Sequence, residues 1–133
     1  MNALTSLRSL GLLAIVTTGA GACSDNPLEP FQPEVNNATD NFQLQATDVA
    51  GVSATQTYSW NNTGTRATVN HSTTTTAGGA ALTIRDATGA VVYTKSLSPS
   101  LNEATATGTA GTWTIVLSMT SYSGTLNFRV QKL

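Results

Sequence analysis

Hydrophobic residues recur at every second position along most of the chain, which is the pattern of a β-strand with one buried face. Phe42, Leu44 and Ala46 alternate with polar residues, and Trp113 shares one predicted face with Ile115 and Leu117 and is therefore assigned to the core. The predicted strands lie at residues 42–46, 58–60, 67–71, 80–84, 91–93, 104–107, 113–119 and 126–130. Threonine is frequent at the outward positions, and its β-branched side chain suits a pleated sheet. The pattern predicts about eight strands.

Short segments rich in Gly, Ser, Asn and Asp separate these strands and have the composition of turns. The predicted turns are residues 61–64, 86–89, 98–100, 109–111 and 121–124. No segment after residue 39 has apolar residues at helical spacing. The number and spacing of the strands predict an all-β domain over residues 40–133, an antiparallel two-sheet β-sandwich of jelly-roll or immunoglobulin-like type.

The segment before this domain is polar and carries Pro27, Pro30 and Pro33 at a spacing of three. A polyproline II helix has three residues per turn, so the three rings would lie along one edge of an extended stalk of up to about 50 Å. A disordered linker is the alternative interpretation. Either interpretation makes residues 23–39 a tether.

The N-terminus contains Arg8, an apolar stretch over residues 10–16 and a run of small residues that ends in Cys23. This arrangement resembles the lipobox signal peptide of a bacterial lipoprotein. The resemblance implies removal of residues 1–22, a lipid on Cys23 that holds the protein to a membrane, and a location in the bacterial cell envelope. With Ser24 after the cysteine, it implies delivery to the outer membrane.

Two other interpretations of the N-terminus remain open. An ordinary secretory signal would be cleaved after Ala20 or Ala22, and a retained transmembrane helix would need about 20 apolar residues, many more than residues 10–16 supply. The composition adds two limits. With 6 basic and 7 acidic residues, the chain has no excess of positive charge for binding nucleic acid. Cys23 is the only cysteine, so a disulfide within the chain is excluded and the core has to stabilise the domain.

Three segments in the C-terminal part resemble the bacterial pre-peptidase C-terminal domain. They are residues 82–89 (LTIRDATG), 109–115 (TAGTWTI) and 122–130 (YSGTLNFRV), and the resemblance covers roughly the last 55 residues. It implies a small β-sandwich without catalytic activity, of the kind attached to secreted enzymes. Ala81 stands where an acidic residue often precedes the matching strand in that family, so an acidic metal site is not implied here.

Groups for catalysis or metal binding are few. A serine-type arrangement would need His71 with Ser72 and a carboxylate such as Asp48 or Asp86, but neighbouring strand residues point to opposite faces. We therefore expect His71 to make an ordinary hydrogen bond at a sheet edge, and we expect Asp86 to bind the backbone of its turn. The sequence predicts no enzyme, no catalytic residues, no cofactor and no zinc site. A single surface calcium held by Asp40 and Asp48 stays open.

Exposed aromatic rings on a β-sandwich bind sugars by stacking, and Trp60 and Tyr122 are the rings that we expect to be exposed. Asn61 and Asn62 lie beside Trp60 and complete a possible ligand site. The sequence favours a non-enzymatic, membrane-anchored lipoprotein with a β-sandwich that serves interaction with a protein or glycan, or the architecture of the envelope. The alternative is a carbohydrate-binding lipoprotein that uses these exposed aromatics.

Overall fold

The computed structural model describes residues 26–133, so the predicted signal peptide and Cys23 lie outside the described residues. A 3-10 helix at Glu29–Phe31 precedes seven strands in this part of the chain, and no α-helix occurs in it. The strands are β1 Glu34–Ala38, β2 Asn41–Asn62, β3 Ala67–His71, β4 Thr74–Arg85, β5 Val91–Ser96, β6 Leu101–Ala104 and β7 Gly111–Lys132. All pairings are antiparallel, and the expected all-β fold is confirmed.

The strands form one hydrogen-bonded sheet that folds over on itself. Five strands follow each other in the order β1, β2, β7, β3, β6, while β4 pairs with β7 and with β5. A straight strand would place Phe42 and Tyr58 about 50 Å apart, yet both lie on β2 and their ring centres are 5.2 Å apart. The strand β2 therefore bends back, and the sheet becomes two packed layers joined through its long strands, as in a sandwich.

The first layer consists of β1, the N-terminal half of β2, the C-terminal half of β7, β3 and β6. The second layer consists of the other halves of β2 and β7 with β4 and β5. The two inner faces form one core. Its largest fully buried side chains are Trp60, Trp113, Tyr122, Phe42, Phe128, Leu28, Leu44, Leu82, Ile84, Leu97, Ile115 and Leu117.

The bend consists of β-bulges at matching positions in β2, β4 and β7. Two glycines in it have backbone conformations that other residues rarely adopt. Gly78 has φ of 64°, and a Cβ there would lie 2.1 Å from the carbonyl oxygen of Ser121. Gly124 has φ of 143°, and its Cβ would lie 1.9 Å from the carbonyl oxygen of Thr74. Only glycine allows β4 and β7 to approach this closely.

Hydroxyl side chains accept hydrogen bonds from backbone N–H groups that the bulges release from the sheet. The backbone N–H of Gly51 donates to the Ser123 hydroxyl over 3.0 Å, and that of Ser121 donates to the Ser53 hydroxyl over 2.8 Å. These bonds connect β2 with β7 across the bend. The hydroxyl groups of Ser53 and Ser123 therefore stabilise the corner of the sheet.

Two differences from the expected strand list follow from the bend. Residues 42–46 and 58–60 belong to one strand, β2, and residues 113–119 and 126–130 belong to one strand, β7. The segment 121–124 is a bulge inside β7, although its composition is that of a turn. The weak strand expected at 104–107 lies instead at Leu101–Ala104, and residues 26–133 contain seven strands rather than about eight.

The tether expected over residues 23–39 is wrong for its C-terminal part. Leu28 is fully buried in the core, Pro30 lies in the 3-10 helix, and β1 pairs with the start of β2. These contacts are incompatible with an extended polyproline stalk through residues 28–38. The folded domain therefore begins near Leu28, before the expected boundary at residue 40.

Candidate functional site

Trp60 is buried, contrary to the expectation that it is exposed at a strand end. Its exposed fraction is 1%, and its ring packs edge-on against Trp113 with the ring centres 5.9 Å apart. Its indole Nε1–H donates to the carbonyl of Ala38 over 3.0 Å. The C-terminal end of β1 lies against the end of β2, where the Asn37 side chain also donates to the carbonyl of Ser59 over 2.8 Å, and Trp60 therefore belongs to the core.

Tyr122 is also buried, because the bulge at Ser121 turns its side chain inward. Ser121 has φ of 44°, which shifts the alternation of β7 by one residue. The Tyr122 hydroxyl donates to the carbonyl of Thr74 over 2.8 Å, and burial raises the pKa of this phenol. The stacking site predicted from Trp60 and Tyr122 is therefore not present on the surface.

The two asparagines beside Trp60 have different positions. Asn61 is exposed on the outer surface of the second layer, and its backbone carbonyl accepts a hydrogen bond from the backbone N–H of Asp40. Asn62 is fully buried, and its side-chain oxygen accepts from the backbone N–H of Gly64 over 2.9 Å. Asn62 shapes the turn after β2 and is not available to a ligand, whereas Asn61 is.

His71 is buried, with an exposed fraction of 1%, and neither ring nitrogen makes a hydrogen bond. The ordinary hydrogen bond expected for it is therefore absent. Burial lowers its pKa, while the nearby Leu97 carbonyl and the charge of Glu103 act in the opposite direction. Lys95, whose Nζ lies 2.6 Å from Glu103 Oε1, contributes to lowering the pKa. A ring so enclosed is not available to a substrate.

The carboxylate of Asp86 binds the backbone of its own turn, as the sequence predicts. Its Oδ1 accepts from the backbone N–H groups of Thr88 and Ala90 over 2.9 and 3.0 Å, and its Oδ2 accepts from Thr109. The Thr88 hydroxyl also donates to Oδ1 over 2.7 Å. These hydrogen bonds, with that of the Thr88 side chain foremost, lower the pKa of Asp86 to about 2.

The two aspartates considered for calcium do not meet. Asp40 accepts hydrogen bonds from the backbone and side chain of Thr63, and these lower its pKa. Asp48 lies in the bend of β2, eight residues after Asp40, and an extended chain of this length spans about 25 Å. Within residues 26–133 no group of three metal-ligating side chains of His, Cys, Asp or Glu occurs. No helix in this range is long and apolar enough to cross a bilayer.

The outer surface of the first layer carries an array of polar side chains, most of them amides, here called the amide face. One row crosses five strands in register and consists of Asn36, Gln43, Arg129, Asn70 and Asn102. The adjacent rows add Asn41, Gln131 and Thr68 on one side and Gln45 and Asn127 on the other. Strands lie about 4.8 Å apart, so the central row extends over about 19 Å.

Neighbouring side chains of the amide face bind each other laterally. The Arg129 guanidinium donates to Gln43 Oε1 over 3.2 Å, and the amide of Gln131 donates to Asn41 Oδ1 over 3.0 Å. Two depressions of about 300 and 470 Å³ lie on this face and share Gln43 in their linings. The face thus presents ordered polar groups and concave surface of the size that ligand sites have.

The sequence analysis missed the amide face, although part of its signal is visible. Gln43 and Gln45 alternate with core residues in β2, and Asn127 and Arg129 do so in β7. The alternation assigns each of them to an outer surface, but it cannot tell which strands are neighbours. The register of β7 between β2 and β3 brings the amides together.

Comparison with protein-family models and with curated proteins gave no match for this chain. The resemblances to bacterial lipoproteins and to the pre-peptidase C-terminal domain therefore stay predictions.

Proposed function

We propose that this protein is a non-enzymatic lipoprotein of the bacterial cell envelope, whose β domain is a binding module that presents the amide face. The amide face is the observation that carries the proposal. Five strands contribute to its central row, and the layer beneath is fixed by a continuous core. A binding surface on rigid strands binds a ligand without any cost for ordering the backbone.

The burial of His71 supports a binding module over an enzyme. It is the single histidine of the chain, and with an exposed fraction of 1% it cannot contact a substrate in this structure. Asp86 accepts hydrogen bonds from its own turn at Oδ1 and from the backbone of Thr109 at Oδ2. His71 and Asp86, two of the groups that the sequence offers for acid–base catalysis, therefore serve the fold.

The position of Leu28 determines how far the domain lies from its proposed anchor. Leu28 is the fifth residue after Cys23, and a fully extended chain of this length spans at most about 18 Å. A lipid on Cys23 would therefore hold the β domain close to the membrane surface rather than on a stalk of about 50 Å. The outer membrane is the proposed location.

Replacement of Cys23 tests the anchor. We expect Cys23→Ala to abolish labelling with a radioactive or alkyne-tagged fatty acid and to move the protein from the membrane to the soluble fraction, whereas Ser24→Ala, as a matched control, keeps both properties. Retention of Cys23→Ala in alkali-washed membranes would contradict lipid anchoring. Turnover of peptide or glycan substrates by the purified protein would contradict the non-enzymatic role.

A further inference from the structure

We propose that the amide face binds an extended, neutral polysaccharide chain through its hydroxyl groups. The inference rests on the proposed function, since it names the ligand class of the same face. Each asparagine or glutamine amide offers two donors and an acceptor. Sugar hydroxyls both donate and accept, so an array of amides can satisfy neighbouring hydroxyls in pairs.

The geometry of the central row fits a repeating ligand. Its side chains come from adjacent strands at intervals of about 4.8 Å, and this interval is close to the length of one pyranose unit in an extended chain. Asn36, Gln43, Arg129, Asn70 and Asn102 would meet successive sugar units of a chain that crosses the strands. The depression that contains Asn70 and Asn102 and the one that contains Asn36 share Gln43, so they lie along that path.

The charge of the face favours a neutral ligand. Arg129 is its only cationic member and already donates to Gln43, while Glu34 lies at one corner beside Gln45. A nucleic acid or a strongly anionic glycan is recognised by clusters of Lys and Arg, which this face lacks. A protein partner usually needs aromatic or aliphatic side chains at the centre of its interface, and among the residues that line the two depressions only Val35, on the edge strand β1, is of these types.

The asparagines of the face also indicate selection for something other than the fold. Asparagine is depleted in β-strands because its side chain competes for backbone hydrogen bonds and does not pack well on the pleat. The face nevertheless contains five of them, all on strands: Asn36, Asn41, Asn70, Asn102 and Asn127. Residues that contradict local preference are expected where a surface has a function.

The test uses the detergent-solubilised full-length protein and calorimetric titration with cellohexaose, mannohexaose and chitohexaose, with hexagalacturonate as an anionic comparison. We expect at least one neutral hexasaccharide to bind. Gln43→Ala and Asn70→Ala should each weaken that binding about threefold to tenfold, since each removes hydrogen bonds to the ligand. Asn61→Ala is the matched control, because it removes an exposed amide from the other layer, and it should leave the affinity unchanged.

Salt dependence and a second variant complete the test. Binding of a neutral chain should not change between about 0.05 M and about 0.5 M salt, because no charges are neutralised. Asn102→Ala, on the edge strand β6, replaces Asn70→Ala if that variant does not fold. Absence of binding to all three neutral probes, preference for hexagalacturonate, or equal weakening by Asn61→Ala would overturn the proposal. None of these results affects the Cys23→Ala test, so failure of the ligand assignment and failure of the anchor are distinguishable.

Discussion

The two outer surfaces of the folded sheet share the strands β2 and β7 but carry different side chains. The first layer carries the amide face, and the second carries what we call the hydroxyl face. Two rows in register form the hydroxyl face: Thr57, Val116, Thr83, Thr94 and Thr55, Ser118, Ala81, Ser96. Its side chains are short, and the Thr83 and Thr94 hydroxyls lie 3.1 Å apart.

The hydroxyl face follows the preferences of the strand, and the amide face departs from them. Threonine and valine are favoured on a half-buried pleat, whereas asparagine is disfavoured there. Both faces cover the same core, so their difference cannot come from packing below. We infer that the hydroxyl face contributes mainly to stability and that the amide face retains costly residues for recognition.

The largest effects are expected beneath the faces, where the layers should behave alike. Phe128→Ala in the first layer should lower the free energy of unfolding by about 3–5 kcal/mol, and Ile115→Ala in the second by about 2–5 kcal/mol, through lost burial and a residual cavity. Urea unfolding followed by circular dichroism and tryptophan fluorescence should give one transition for each variant. Val35→Ala, at a position 41% exposed, serves as the control. Separate transitions for the two layers would show that they are independent units.

The bend that joins the layers offers a comparison between adjacent glycines. Gly78→Ala should destabilise the domain by at least about 2 kcal/mol, because it combines a positive φ with a backbone clash. Gly79→Ala should be neutral or slightly stabilising, since its Cβ meets nothing within 4 Å. Thermal melts of both variants check this. Similar losses at both positions would mean that the bend does not depend on the close approach of β4 to Ser121.

Between about pH 5 and pH 7 we expect the stability of the domain to depend on pH mainly through His71. Burial lowers the pKa of His71 below its usual 6.5, so the folded state favours the neutral ring. Its unfolded state then binds more protons, and stability should be full above about pH 6.5 and fall as the pH drops toward the folded pKa. His71→Leu should remove this dependence from urea unfolding measured between about pH 5 and pH 7. Asp86, with its pKa lowered from 3.8 to about 2, acts only in the acidic window below 3.8. If the stability of the His71→Leu protein fell equally with decreasing pH, the assignment of this pH dependence to His71 would be wrong.

The alternation of apolar and polar residues predicted which side chains face the core, because this pattern can be read within each strand without knowing its neighbours. Trp113, Ile115 and Leu117 are fully buried as expected. The errors occur where a pairing between distant segments decides the outcome. Residues 121–124 have the composition of a turn, but pairing of β7 with β2 and β4 makes them a bulge, and this turns Tyr122 inward.

Strand β1 was missed for a related reason. All five of its residues are exposed, so it has no alternation of buried and exposed positions. Its backbone pairing with β2 holds it in place, and composition carries no signal for such pairing. The same holds for the amide face, since Gln43 and Asn70 become neighbours of Arg129 only through the strand register.

The smallest effects should distinguish the two faces by reciprocal substitutions. Asn70→Thr should raise the free energy of unfolding, and Thr57→Asn should lower it, each by up to about 1 kcal/mol, the range of strand propensities. Both positions are exposed, so packing of the core does not contribute. Chemical denaturation of the pair measures the difference. If both substitutions changed the free energy of unfolding in the same direction, the two faces would not differ in the way proposed.

The most direct test of the difference between the faces is a thermal melt of the wild type and Asn70→Thr, each with and without the neutral hexasaccharide that binds. A ligand that binds only the folded state raises the melting temperature. We predict that the hexasaccharide raises the Tm of the wild type, and that Asn70→Thr melts higher than the wild type without ligand but gains much less from it. A variant that melts lower without ligand, or that retains the full ligand-induced shift, would contradict the view that the amide face gives up stability for binding.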